Sequence, residues 1–248
     1  MKKITFLLYA IVAYLIFLGT FCYAIGFVNS LFVPKHIDSP PTLDLSLALL
    51  VNAGLLTLFA LQHSIMARPA FKQWWTKFVP EPIERSTYVL LSSLCLILLF
   101  SYWQPLGGVI WQVESDSARN LLISISLFGF GIVLVSTFLI NHFDLFGLRQ
   151  VWLHFSGKKY EPLIFRTPFF YKYVRHPLYL GFMIAFWATP TMTAAHLFFA
   201  IMTTAYMFTA IQFEERDLIK HFGPKYQDYK RSAPMIIPFI KTNRKRVD

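Results

Sequence analysis

The hydrophobic residues of this chain are gathered into long runs that contain no charged side chain, and short polar connections separate them. A helix needs roughly 20 apolar residues to cross the hydrocarbon core of a bilayer. Runs of this length therefore predict an all-α fold, a polytopic bundle of membrane helices. Its four full spans are expected at Ile4–Val28, Leu45–Met66, Thr87–Trp103 and Leu121–Ile140.

A fifth uncharged run, Leu178–Phe213, is too long for one straight crossing. As a single helix it would measure about 54 Å, whereas the hydrocarbon core is about 30 Å thick. Pro190 lies inside this run and can break a helix. We therefore predict a C-terminal helical hairpin with a short first arm, which gives five to six transmembrane segments. No internal repeat divides the chain, so residues 1–248 are predicted to form a single domain.

The basic residues fall almost entirely on one side of this predicted bundle. If the N-terminus is cytoplasmic, only Lys35 and Arg119 of the 23 lysines and arginines lie on the outer side. Cytoplasmic loops of membrane proteins carry such an excess. The net charge of +10 is therefore explained by topology, with both termini cytoplasmic, and it argues against nucleic-acid binding. A composition of 56% hydrophobic and 15% charged residues also argues against a soluble domain.

Two polar clusters stand at the ends of the fifth run. One begins at Arg175 in the stretch RHPLYLG, and the other is the pair Glu214-Glu215. In a hairpin both ends return to the same membrane surface, so we expect the two clusters to be neighbours. Acidic residues at the C-terminal end of a helix oppose its macrodipole and require a positive partner, which Arg175 can provide. From these residues alone, a structural ion pair and a ligand site are both open.

The same residues resemble the C-terminal signature of a known group of enzymes. RHPLYLG at 175–181, followed by EERDLIKHFGPKYQDYKRSAPMIIPF at 214–239, is similar to the isoprenylcysteine carboxyl methyltransferases and phospholipid methyltransferases. The resemblance implies an integral membrane enzyme that uses S-adenosylmethionine, with residues 165–240 forming a cofactor-binding hairpin and cytoplasmic C-terminal helices. It assigns catalytic roles to Arg175 and Glu215. The cofactor site that it implies consists of Arg175, His176, Tyr179, Gly181, Glu214, Glu215 and Tyr226.

Three upstream blocks resemble the nurim-like family, which includes bacterial methanethiol S-methyltransferases. They read LQHSIMARPAFKQWW (61–75), ERSTYVLLSSLCLILLFSYWQP (84–105) and STFLINHFDLFGLRQVW (136–152). This resemblance implies methylation of a small thiol, methanethiol to dimethyl sulfide, by a multi-pass protein of the bacterial inner membrane. Two alternatives remain open. One is a methyltransferase that acts on a lipid or prenylcysteine acceptor, and the other is a non-catalytic membrane protein of the nurim type.

A thiol acceptor attacks well only as the thiolate, and an ordinary thiol has a pKa of about 8.5. Ionisable groups inside membrane segments usually serve a function. We therefore predict that His63 and His142 act as catalytic groups, although a hydrogen-bonded packing role for His63 is equally open. No spacing of residues suggests a bound metal. The polar residues expected to form the thiol site are Gln62, His63, Asn141, His142 and Asp144.

Overall fold

The computed structural model describes residues 2–238 and consists of helices with one small sheet. The helices are α1 (Lys2–Asn29), α2 (Leu45–Met66), α3 (Pro69–Trp75), α4 (Glu81–Tyr102), α5 (Asp116–Ile140), α6 (His142–Leu145), α7 (Leu148–Phe155), α8 (Pro177–Trp187), α9 (Ala194–Phe222) and α10 (Pro224–Ser232). A 3₁₀ turn covers Phe169–Lys172, and the strands are β1 (Val109–Gln112) and β2 (Thr191–Thr193).

Helices α1, α2, α4, α5 and α9 are long and apolar enough to cross a membrane. The predicted bundle of four spans plus a C-terminal hairpin is therefore confirmed. Two spans begin earlier than their apolar runs suggested, α4 at Glu81 and α5 at Asp116. Acidic side chains in a first turn interact favourably with the positive end of the helix dipole. Both helices can therefore extend past their hydrophobic runs into polar surroundings.

The fifth run folds as the predicted hairpin, and its two arms are very unequal. Helix α8 has 11 residues, a length of about 17 Å, which is too short to cross a bilayer. The chain then turns at Pro190, forms β2 and returns through α9, which has 29 residues. The structure therefore contains five spanning helices and one partial arm. Arg68, Arg85 and Arg175 lie at the same end of the bundle, which is called the basic end below.

A two-stranded sheet, which the sequence did not predict, closes the opposite end of the bundle. Strand β1 lies in the connection between α4 and α5 and pairs antiparallel with β2. The backbone N–H of Val113 donates to the carbonyl of Pro190 at 2.9 Å. The turn of the hairpin is therefore tied to the preceding loop, and α8 and α9 have a fixed relative position.

Side chains of the loops complete this closure. The hydroxyl of Thr193 donates to Oδ1 of Asp38 at 2.5 Å, and Nδ1 of His196 lies 3.3 Å from Oδ2 of the same carboxylate. The other ring nitrogen, Nε2, donates to the carbonyl of Phe186 at 2.9 Å. His196 is completely buried, so these bonds join the start of α9 to α8 and to the loop after α1.

Helices α5 and α8 cross in close contact because each carries a glycine at the crossing point. A Cβ on Gly129 would lie 2.6 Å from the carbonyl oxygen of Gly181, and a Cβ on Gly181 would lie 2.7 Å from that of Gly129. The hydroxyl of Ser126 also donates to the carbonyl of Ala185 at 2.8 Å. Small residues allow such close contacts between membrane helices. Gly181 therefore packs against α5, and its cofactor role stays a prediction.

Large aromatic side chains fill the bundle away from the basic end. Phe27, Phe100, Trp103 and Phe199 pack together, and all are buried. The rings of Phe27 and Phe100 lie 4.8 Å apart, and Trp103 meets Phe199 edge-on at 5.6 Å. Such pairs add stability beyond the area that they bury. This core holds α1, α4 and α9 together, and the polar groups are concentrated at the basic end.

Candidate active site

The two polar clusters of the fifth run meet at the basic end. Pro177 is the first residue of α8, where its missing N–H costs nothing, so Arg175 and His176 lie just before the helix. Glu214 and Glu215 lie in the last turns of α9, which ends at Gly223 with a positive φ of 58°. Because α9 runs back beside α8, the side chains of these four residues meet.

Glu215 is the centre of this cluster, and protein groups occupy both of its oxygens. Its Oε1 accepts from Nε of Arg175 at 2.7 Å and from Nε2 of His176 at 3.1 Å. Its Oε2 lies 2.7 Å from Nζ of Lys230 on α10. The side chain of Glu215 is only 3% exposed. A buried carboxylate is tolerated when it is paired and hydrogen-bonded. Groups of the protein therefore satisfy Glu215 without a ligand.

Arg175 uses its remaining donors to hold the C-terminal segment. Its NH1 donates to the carbonyls of Ala233, at 2.5 Å, and Lys230, at 3.1 Å. The backbone N–H groups of Arg175 and His176 donate to the carbonyls of Pro234 and Met235. We call this set of contacts the clamp. It docks α10 and the residues after it onto the start of α8.

Glu214 differs sharply from its neighbour. Its side chain is 44% exposed, and Nδ1 of His176 lies 3.8 Å from its Oε2. Tyr179, in the first turn of α8, lies close enough to this carboxylate to interact with it electrostatically. Three further tyrosines, on α4, on the segment before α8 and on α10, lie within electrostatic range of Glu214, namely Tyr88, Tyr171 and Tyr226. Glu214 is thus a half-open carboxylate bordered by phenol groups.

Tyr226 contributes a polar group that its surroundings leave unused. Its side chain is 2% exposed, and its hydroxyl has no hydrogen-bond partner among the residues that the structure describes. Burial raises the pKa of this hydroxyl, so it stays protonated and can donate. A buried hydroxyl without a partner costs free energy. Its position beside the clamp therefore favours a ligand that accepts this hydrogen bond.

His63 lies on α2 in a hydrogen-bonded position that faces α4. The hydroxyl of Tyr88 is 3.0 Å from each of its ring nitrogens, and Ser92 Oγ is 3.2 Å from Nδ1. The next residue, Ser64, meets Tyr206 at 3.1 Å between the two hydroxyl oxygens. Tyr88 interacts with Glu214 and also with Tyr206, so the phenol of Tyr88 connects His63 to the half-open carboxylate.

His142 has a different environment, on the side of the bundle that faces α1. Its Nε2 lies 2.8 Å from the hydroxyl of Tyr14, and its Nδ1 lies 2.7 Å from Oγ1 of Thr137. Since the Thr137 hydroxyl already donates to the carbonyl of Leu134, Nδ1 carries the proton and Nε2 accepts from Tyr14. The ring is buried and stacks on Phe138 at 4.1 Å. Burial also lowers the pKa of His142, which favours the neutral ring.

The other residues predicted for the thiol site have local partners. Asn141 accepts from the backbone N–H of Asp144 at 3.1 Å, and Asp144 pairs with Arg149 at 2.7 Å. Nε2 of Gln62 lies 3.2 Å from the sulfur of Met66. The structure therefore separates the predicted set into two groups. His63 joins the network of Glu214, whereas Asn141, His142 and Asp144 form the corner between α5 and α7.

Three residues of this region were missing from the sequence prediction. Tyr88 and Tyr206 lie inside apolar runs, and polar side chains in such runs are a signal that could have identified them. No pattern in the sequence marks Lys230 as a partner of Glu215, because only the folding of α10 back onto α9 brings its Nζ to that carboxylate.

Comparisons with known proteins identify the family. Residues 50–207 match the NnrU protein family. The chain is 56% identical to the methanethiol S-methyltransferase of Crocosphaera subtropica, over 94% of this chain and 92% of that one. It is 54% identical to methanethiol S-methyltransferase 2 of Bradyrhizobium diazoefficiens, over 99% and 95%. Nurim from Bos taurus is 28% identical over 67% and 66%. No solved structure matches the chain. The chain therefore belongs to the NnrU family, the nurim-like family that its sequence predicted, and is similar over nearly its full length to the methanethiol S-methyltransferases.

Proposed function

We propose that this protein transfers the methyl group of S-adenosylmethionine to methanethiol and releases dimethyl sulfide. The observation that carries the proposal is the contrast between two adjacent glutamates. Both carboxylate oxygens of Glu215 are paired with groups of the protein, whereas Glu214 is half-exposed and bordered by tyrosines. Extensive similarity to proteins named methanethiol S-methyltransferases supports the choice of reaction.

The residues at the basic end suit the polar parts of the cofactor. Glu214 can accept hydrogen bonds from its amino group or ribose hydroxyls, and the unused hydroxyl of Tyr226 can donate to one of its acceptors. In this proposal Arg175 and Glu215 act as positioning residues. They fix α10, and with it Tyr226, against α8.

When bound, the cofactor supplies a methyl group on a positively charged sulfonium. The chemistry that it would supply is transfer of this methyl group to a thiolate sulfur, with loss of the bond to the sulfonium sulfur and two neutral sulfides as products. Because the reaction consumes one positive and one negative charge, a site poor in water favours it. The protein has to hold the two sulfurs in line and to accept the thiol proton. His63, with its ring nitrogens beside Tyr88, is the residue that we assign to that proton.

We further propose that the protein lies in the bacterial inner membrane with both termini cytoplasmic. The lysines and arginines concentrated at the basic end support this orientation. The prediction for the C-terminus rests partly on residues 239–248, which lie outside the described residues.

The test is a transfer assay with purified protein, methyl-labelled S-adenosylmethionine and two acceptors, methanethiol and a prenylcysteine. We expect label in dimethyl sulfide, measured in the headspace by gas chromatography. Label in the prenylcysteine or in added lipid would favour the lipid-methylating alternative. Transfer to no acceptor would favour a non-catalytic protein of the nurim type.

A further inference from the structure

A polar cavity lies at the basic end, in the corner that contains Asn141 and Asp144. Its volume is about 720 Å³, and it opens between the start of α4, the junction of α5 with α6, and the turn that follows α7. The clamp and Glu214 do not line it. It is called the corner cavity below.

Four cationic side chains line the corner cavity, and within residues 2–238 none of them forms an ion pair with a carboxylate. They are Lys72, Arg85, Lys158 and Lys159. Of the three acidic side chains on the wall, Asp144 is already paired with Arg149. The unpaired cations therefore outnumber the two remaining carboxylates, Glu81 and Glu84.

Arg85 is oriented for an additional partner. Its Nε donates to the carbonyl of Leu145 at 2.8 Å, and its guanidinium lies over the ring of Tyr88 at 5.1 Å. Hydrogen bonding through Nε fixes the plane of the group, and its terminal amino groups have no hydrogen bond to the described residues. A fixed guanidinium binds phosphate well, because its paired N–H donors match two phosphate oxygens.

The positive charges around the corner cavity change the pKa of Lys72. Burial lowers the pKa of its ammonium group, and the charges of Arg85 and Arg68 lower it further, against an opposing effect of Glu84. Lys3 adds one more cation near the mouth, because its Nζ lies 3.9 Å from the position of a Cβ on Gly157. Like charges held together destabilise one another, and a bound anion would remove this cost.

The position of the corner cavity indicates the source of an anion that would bind in it. Helix α7 forms one wall and turns Trp152 and Phe155 outward, with 57% and 37% of their surfaces exposed. Their rings are stacked at 5.9 Å. Exposed aromatic rings beside lysines are typical of the level of the lipid headgroups. The mouth of the cavity therefore faces headgroups rather than open solution.

We propose that the corner cavity binds the phosphate of an anionic phospholipid headgroup, with Arg85 and Lys72 inside and Lys158 and Lys159 at the rim. Basic pockets between membrane helices on the cytoplasmic side bind headgroups of this kind. The proposal does not depend on the methyl-transfer reaction, because it uses none of the groups assigned to that reaction. It gives Asp144 the role of fixing Arg149 and the corner rather than of binding a thiol.

The test measures lipid adducts by native mass spectrometry on the purified full chain in detergent. The protein is titrated separately with phosphatidylglycerol, phosphatidylcholine and inorganic phosphate. We expect one phosphatidylglycerol to bind at least about tenfold more tightly than phosphatidylcholine. The double variant Lys158→Gln/Lys159→Gln should lose about tenfold of that affinity. Both lysines are exposed, so the variant should fold normally.

The matched control is Lys77→Gln/Lys225→Gln, which removes two exposed lysines that do not line the cavity. This variant should bind phosphatidylglycerol as the wild type does. Equal losses in the two double variants would mean that binding reflects only the overall charge, and the proposal would be wrong. Equal affinity for the two lipids would also overturn it. Tight binding of inorganic phosphate alone would identify a free-anion site and reject the lipid.

Discussion

Nε of Arg175 lies 2.7 Å from Oε1 of Glu215, and both side chains are almost completely buried. This ion pair joins the segment before α8 to the last turns of α9, and Lys230 on α10 pairs with the other oxygen of Glu215. Arg175 and Lys230 together occupy both oxygens of Glu215, so Glu214 is the carboxylate that remains open beside it.

The first prediction concerns the stability of the clamp. Replacing Glu215 with Ala leaves Arg175 and Lys230 without their carboxylate, and breaking a buried pair costs about 3–5 kcal/mol. We expect a clear drop in the thermal unfolding temperature in detergent. Glu214→Ala is the matched control and should unfold close to the wild-type temperature. Similar unfolding temperatures for Glu215→Ala and the wild type would show that the clamp does not stabilise the fold.

The hydroxyl of Tyr226 provides a second test, because no described residue bonds to it. Tyr226→Phe should therefore leave the unfolding temperature unchanged or slightly raised. If the cofactor uses this hydroxyl, affinity for S-adenosylhomocysteine should fall by up to about tenfold, the value of one hydrogen bond. Isothermal titration calorimetry measures that affinity. An unchanged affinity would remove Tyr226 from the cofactor site.

A third prediction concerns the thiol proton. His63→Ala should lower turnover with methanethiol by about 10²–10⁴-fold, the usual contribution of a general base, with little change in cofactor affinity. Raising the pH should partly restore turnover, because a larger fraction of the thiol then ionises unaided. His221→Ala, on the exposed side of α9, is the control. A His63 variant with wild-type turnover at every pH would make His63 a packing residue.

His142 should instead affect stability, and in a pH-dependent way. Burial lowers the pKa of the folded ring below its ordinary value of about 6.5. As the pH falls through 6.5, the unfolded chain binds a proton before the folded chain does. The contribution of the neutral ring is therefore complete above pH 6.5 and is lost below it. Thermal unfolding at pH 7.5 and 5.5 should show a larger loss for the wild type than for His142→Phe, and equal losses would contradict this.

The spans were predictable because the membrane imposes a simple length requirement, and each uncharged run met it. The hairpin was also predictable, since Pro190 breaks a run that is too long and the charges require both of its ends on one side. The sheet of β1 and β2 was not, because Val109–Gln112 pairs with a segment far along the chain.

The sequence predicted that the two polar clusters meet but did not distinguish between Glu214 and Glu215. Neighbouring residues on a helix point about 100° apart, so only one of Glu214 and Glu215 could be enclosed between α8 and α10. Which one depends on where α10 docks, and Lys230 determines this through a contact that no local pattern encodes. The same limit applies to His63 and His142. Both are polar residues at the ends of apolar runs, and only their packing against Tyr88 or Tyr14 separates them.

The most direct measurement of the central claim is the rate of dimethyl sulfide formation by wild-type protein and by Glu214→Gln, with methanethiol fixed and S-adenosylmethionine varied. We predict that the wild type forms dimethyl sulfide and that Glu214→Gln has an unfolding temperature like the wild type. We also predict that its KM for S-adenosylmethionine is raised by about tenfold or more, since a charge-assisted hydrogen bond is lost. A wild-type protein that forms no dimethyl sulfide, or a Glu214→Gln variant with an unchanged KM, would contradict the account.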